Sequence, residues 1–233
     1  FAAAGVIGVA GSIILLRQPE RPKKLENEPL KQLFREPLRD RNFLKLLFFV
    51  LWWMLAIGIG APFWQPYMLK NLEMSLMEIF LYGLFSNIAA IIAIRYWGRF
   101  IDYYGNKTAM VIAIVMGGIN PMIWVFAGGP GTKWVVFCEA VTSGIMWSGA
   151  GVITSNFVLS LAPRGQSQIY ASLSAVVSGV GVMLTMYASG RFIPPAAIDL
   201  AGLHLSPEQA LFGLGGVVRW TALFPLFLIN EPT

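Results

Sequence analysis

Six stretches of roughly 20 mostly apolar residues, separated by short polar segments, constrain this chain more than any other feature. They run over about 43–69, 76–97, 108–127, 134–162, 169–192 and 209–229. A helix of that length spans the hydrocarbon core of a bilayer. Composition agrees: 56% of the residues are hydrophobic and 12% are charged, against about 25% charged in an ordinary soluble domain. A water-soluble globule could not cover so much apolar surface. The expected fold is all-α: a polytopic six-helix membrane bundle.

Residues 1–16 form a seventh, shorter apolar stretch, with its first charge at Arg17. A secretory leader places basic residues before its apolar run and a small-residue cleavage site after it. Here the basic residues follow, so 1–16 is expected to be the end of a preceding transmembrane helix and the chain a fragment. The sequence divides into that helix end, a linker over 17–42 and a transmembrane bundle over 43–233.

Between Arg17 and Asn42 lie eight basic residues: Arg17, Arg21, Lys23, Lys24, Lys31, Arg35, Arg39 and Arg41. Arg95, Arg99, Lys107 and Arg164 belong to the same side if the helices alternate, whereas the opposite side has Lys70, Lys133 and Arg191. Basic loops face the cytoplasm. The linker and the C-terminus are therefore expected inside. Pro19, Pro22, Pro29 and Pro37 prevent one continuous helix through the linker. Leu30, Leu33, Phe34 and Leu38 suit a short amphipathic helix, but a tether between two membrane bundles is the preferred reading of the segment.

The charge distribution accounts for the net +5 without nucleic acid. One cysteine, Cys138, and one histidine, His204, exclude an internal disulfide framework and a His-rich site. No phosphate-binding loop and no nucleophile–base set is visible. No catalytic residue, metal site or cofactor is expected.

After the second span the chain reads Gly98-Arg99-Phe100-Ile101-Asp102-Tyr103-Tyr104-Gly105-Asn106-Lys107. Gly98 allows close approach of helix ends and Gly105 a tight turn. Asp102 can accept from a helix N-terminus or pair with an arginine, and Lys107 can meet the headgroups. This spacing resembles the cytoplasmic loop motif of the major facilitator superfamily, in its weaker second copy between helices 8 and 9. Tyr103 and Asn106 stand where that motif often has basic residues. Pro37–Phe43, Ala61–Tyr67 and Leu161–Gly165 resemble the entry to helix 7, its end, and the loop between helices 10 and 11.

The resemblance implies that the six spans are helices 7–12 of a secondary transporter of a small solute, working by alternating access. Membrane lipid and the missing N-terminal half would be its partners. Helices 7, 8, 10 and 11 would face the central cavity. On them Trp64, Gln65, Asn87, Ser143 and Trp147 are the expected substrate-binding residues. Gly98, Asp102, Gly105 and Lys107 are the expected gating motif.

Charged groups at bilayer depth point to function. Glu139 is either a proton-coupling carboxylate or a residue near the outer interface, solvated or hydrogen-bonded. Arg219 is expected to be structural or to snorkel, because the resemblance makes helix 12 peripheral. Gly117-Gly118-Ile119-Asn120-Pro121 is expected to kink helix 9, with Asn120 serving the freed backbone groups. The stripe Ser174, Ser178, Gly181 and Thr185 either faces the solute or packs helices together. Trp52, Trp53, Trp97, Trp134 and Trp220 include several near span ends, where interfacial anchoring suffices. An intramembrane enzyme, a channel or a non-transporting scaffold or receptor are the rival readings.

Overall fold

A computed structural model describes residues 35–163, 165–200 and 203–230. The expectations for 1–16 and for the linker before residue 35 lie outside the described residues.

Among these residues the chain forms α1 (Arg41–Gly58), α2 (Trp64–Lys70), α3 (Leu76–Ile123), α4 (Lys133–Leu161) and α5 (Ser167–Arg191). A two-stranded antiparallel hairpin, β1 (Ile198–Leu200) and β2 (Leu203–Leu205), precedes α6 (Pro207–Trp220) and α7 (Leu223–Leu228). Five stretches are long and apolar enough to cross a membrane, one of them the 51 residues Leu76–Phe126. That stretch supplies two crossings. Gly105, at φ 83 and ψ 163, breaks the helical path, a conformation open to glycine and strained for residues with a Cβ. Tyr82, near the start of α3, returns to 6.1 Å from Trp124, just beyond its end. The chain therefore reverses at Gly105, and the expected all-α six-span bundle is the observed fold. The loop predicted over 98–107 shrinks to a single glycine between two helical arms.

Polar bonds mark the two ends of the bundle. At the end nearest the linker, Asp40 caps α1 by accepting from the Asn42 and Phe43 amides. Asn42 and Asn230 exchange two hydrogen bonds, at 2.6 and 2.8 Å. At the opposite end Ser75 and Glu78 form a capping box on α3. There Lys133 bridges to Glu78 at 2.9 Å and to the Glu73 carbonyl at 3.0 Å.

Prolines set the helix breaks, and each break exposes one carbonyl. A proline lacks the N–H that would bond the carbonyl four residues before it. Away from water that carbonyl needs another donor. The first span is not continuous over 43–69: α1 ends at Gly58, four residues before Pro62, and the chain restarts as α2. The Gly58 carbonyl accepts from Ser189 Oγ at 3.4 Å. The last span likewise breaks between α6 and α7, because Pro225 frees the Thr221 carbonyl, which accepts from the Phe224 amide at 3.1 Å. At Pro121 the outcome differs. The second arm of α3 stays helical through Pro121 to Ile123, so Pro121 does not break it. The freed Gly117 carbonyl accepts from Arg219 Nη1 at 2.9 Å. Asn120 does not perform that task.

Small residues let helices meet closely. A Cβ on Gly144 would collide with the Ser86 backbone, so α4 crosses the first arm of α3 there. Gly117 and Gly118 are seats for the Trp53 and Trp220 rings rather than helix breakers, and Gly149 seats Trp97. Gly151 has open space instead, and Ser155 is exposed. On α5, Ser174 and Gly181 are buried, with Gly181 against Leu51 and Met54 of α1. Thr185 closes on Gly58. The small-residue stripe of α5 is thus a packing seam.

Many large apolar side chains remain uncovered, including Phe80, Ile91, Val176, Met183 and Tyr187. Only 17% of the most apolar window of α5 is buried. Such surface suits lipid or another membrane helix.

Candidate functional site

The helix break at Pro62, the arms of α3, α4 and α6 converge on a cavity of about 330 Å3 in the half of the bundle away from the linker. Glu139 and Ser143, one turn apart on α4, form part of its wall. Trp147 continues that face at the rim and is half-exposed. Opposite stand Tyr82, Asn120 and Arg219. Trp64 closes one side, stacked at 4.0 Å and 1° on Phe212 and edge-on to Trp124 at 4.7 Å.

Glu139 is 3% exposed, and it accepts a 2.9 Å hydrogen bond from the Tyr82 hydroxyl. Glu139 is thus buried and hydrogen-bonded rather than solvated. Arg219 is 4% exposed and does not snorkel. One Nη1 bond holds it to the α3 carbonyl freed by Pro121, while its Nε has no hydrogen-bond partner. The two opposite charges line one cavity without forming an ion pair with each other. Asn120 accepts at Oδ1 from the Thr142 hydroxyl at 3.0 Å, and its Nδ2 has no partner.

Of the residues predicted from sequence, Trp64, Ser143, Trp147 and Glu139 come together at this cavity. Gln65 and Asn87 do not. Both are exposed, and Asn87 Nδ2 donates to the Gly83 carbonyl of its own helix at 2.7 Å. Sequence reasoning missed Tyr82 and Trp124, and placed Asn120 and Arg219 among structural features. The signal for the last two was available in Pro121. A carbonyl freed at bilayer depth calls for a donor, and Arg219 is the only arginine inside the last span.

The predicted gating residues lie at the linker end. Gly105 supplies the turn. Lys107 Nζ donates to the Ile229 carbonyl at 2.8 Å and the Phe227 carbonyl at 3.3 Å. It caps the C-terminal end of α7, where cations complement the helix dipole. Asn106 accepts from Asn156 of α4 at 3.0 Å, tying the turn to the next helix. Asp102 is exposed and makes no hydrogen bond to a described residue, and a Cβ on Gly98 would meet open space.

Of the tryptophans read as possible interfacial anchors, Trp53 and Trp97 are buried and Trp52 and Trp220 half-buried. Trp97 is buried and donates to the Ile145 carbonyl at 2.8 Å. Trp52 donates to Thr221 at 2.8 Å and Trp220 to the Val115 carbonyl at 3.0 Å. Trp134 alone of the five is widely exposed. His204, on β2, lies 2.6 Å from Asp199 with its side chain 75% exposed, as a surface residue should.

Membrane-length helices enclosing a charged cavity define an integral, multi-pass membrane protein. The family model described as Major Facilitator Superfamily matches residues 1–193. The chain belongs to that family, whose members are transporters that handle small solutes. No curated protein matches the sequence significantly.

Proposed function

We propose that this chain is the C-terminal half of a secondary active transporter that moves a small solute by alternating access, with the Glu139 cavity as its solute and coupling site. The observation that carries the reading is the burial of Glu139 and Arg219 around one cavity inside a membrane bundle. Two unpaired charges held away from water cost several kcal/mol each, and such groups in membranes mark substrate or ion pathways. On this reading residues 1–16 end helix 6 and 17–42 form a cytoplasmic linker. The uncovered face of α5 meets the N-terminal half. The C-terminus lies inside, and the host is a bacterial-type inner membrane. Glu139 carries the proton, Trp64, Ser143 and Trp147 bound the solute, and Asp102 gates from the cytoplasmic side.

The test is uptake by the full-length protein in liposomes under an imposed proton gradient, across a panel of sugars, amino acids, organic acids and organic cations. Glu139→Gln is expected to abolish the acceleration by the gradient. Acceleration that survives the substitution removes the proton from Glu139. Absence of uptake of every solute under every ion gradient leaves the non-transporting scaffold as the correct reading.

A further inference from the structure

Two buried donors at this cavity are unused. Arg219 Nε and Asn120 Nδ2 are both donors, both belong to side chains at least 96% buried, and neither has a partner. The Gly117 carbonyl already accepts from Arg219 Nη1. Leaving a buried donor unmade costs about 1–3 kcal/mol. The cavity therefore calls for an acceptor, and a carboxylate beside a guanidinium is the strong form of that contact.

Charge decides what else the ligand must carry. Arg219 and Glu139 balance each other across the cavity without touching. A lone anion would leave one net negative charge in a space screened from water, and a lone cation one net positive. Either is costly at low dielectric. A neutral polyol would leave both protein charges without a counter-ion. A molecule bearing both charges keeps the total at zero and gives each wall its complement. The half-exposed Trp147 ring at the rim then offers an apolar face for the remainder of the solute.

We propose that the cavity binds a small zwitterion of the amino-acid class, its carboxylate on Arg219 and Asn120 and its ammonium on Glu139. This assignment rests on the transport reading above and names its solute class. Tyr82 is then a positioning residue, holding the Glu139 carboxylate toward the ammonium through its 2.9 Å hydrogen bond.

The experiment is thermal stabilisation of the purified full-length protein by each of the twenty common amino acids and glycine betaine. The most stabilising one is then compared with its carboxamide, which lacks the carboxylate, and with its deaminated acid, which lacks the ammonium. At least one amino acid is expected to bind, with both analogues at least tenfold weaker. Arg219→Met is expected to abolish the preference for the amino acid over its carboxamide. The analogue comparison uses the unaltered protein, so it stands even if that variant fails to fold. A deaminated acid that binds as tightly as its parent overturns the proposal, and so does stabilisation by no zwitterion at all. If the liposome panel shows uptake of a sugar or an organic cation instead, transport stands and the zwitterion falls. If nothing is taken up while an amino acid still stabilises the protein with this preference, the transport reading falls and the zwitterion site stands.

Discussion

Arg219 donates to the one carbonyl that Pro121 leaves unserved inside the second arm of α3. If that is why the bond matters to stability, the two residues must be energetically coupled. Arg219→Met removes the donor while keeping much of the side-chain volume. In the native background it orphans the buried Gly117 carbonyl, at about 1–3 kcal/mol. Pro121→Ala restores an N–H four residues beyond Gly117, so the helix serves its own carbonyl. In that background Arg219→Met leaves no orphan. Its other consequences, a lost charge opposite Glu139 and altered packing, occur in both backgrounds and cancel in the double-mutant cycle. The coupling is therefore expected near 2 kcal/mol, the middle of that orphan-carbonyl range. In a chain of this size 1 kcal/mol moves the melting temperature by about 2–4 °C. Arg219→Met should thus lower the Tm by about 4–8 °C more in the native background than in Pro121→Ala. Tryptophan fluorescence of the detergent-purified protein reads the transition. Equal losses in both backgrounds would refute the reasoning and make Arg219 indifferent to Pro121.

Gly144→Val should destabilise by about 1–3 kcal/mol, because its Cβ meets the Ser86 backbone, which cannot turn aside. Gly151→Ala, with open space around it, should gain about 0.5–1 kcal/mol from reduced backbone entropy; melting temperatures of the two variants check the contrast. Asp102→Ala should change stability by less than about 0.5 kcal/mol, since the side chain is exposed and unbonded to any described residue. The same variant should slow liposome uptake if Asp102 gates, and wild-type uptake would remove that role.

Apolar length made the six spans legible in the sequence, and the Gly98–Lys107 spacing placed the reversal between the second and third. What the pattern could not reveal was how each break would be repaired. Pro62, Pro121 and Pro225 look alike in sequence, yet two end a helix and one does not. The donors that serve the freed carbonyls could not be read from it: Ser189 and Arg219 arrive from remote segments for Gly58 and Gly117, and a local amide serves Thr221. The same limit applies to the tryptophans. Trp97 and Trp220 have the ring chemistry of an interfacial anchor, but a carbonyl and a glycine seat inside the bundle claim them. Gln65 and Asn87 lie outside the Glu139 cavity. An amide at bilayer depth needs a partner, but Asn87 finds it in the Gly83 carbonyl of its own helix without any cavity.

The candidate site was half legible for a related reason. Glu139, Ser143 and Trp147 share a face by helical spacing alone, so one wall could be read directly. The facing wall comes from α3 and α6, whose register against α4 is set by glycines at the crossings, not by polar residues. Gly144 brings the first arm of α3, with Tyr82 one turn above Ser86, against Glu139. Gly216 lets α6 reach the Gly118 backbone, and Arg219, three residues on, is thereby carried to Gly117 and the cavity. The charged wall is a consequence of small-residue packing. A larger side chain at Gly216 should therefore displace Arg219 from the cavity as well as loosen the helix pair, joining stability and solute recognition in one glycine.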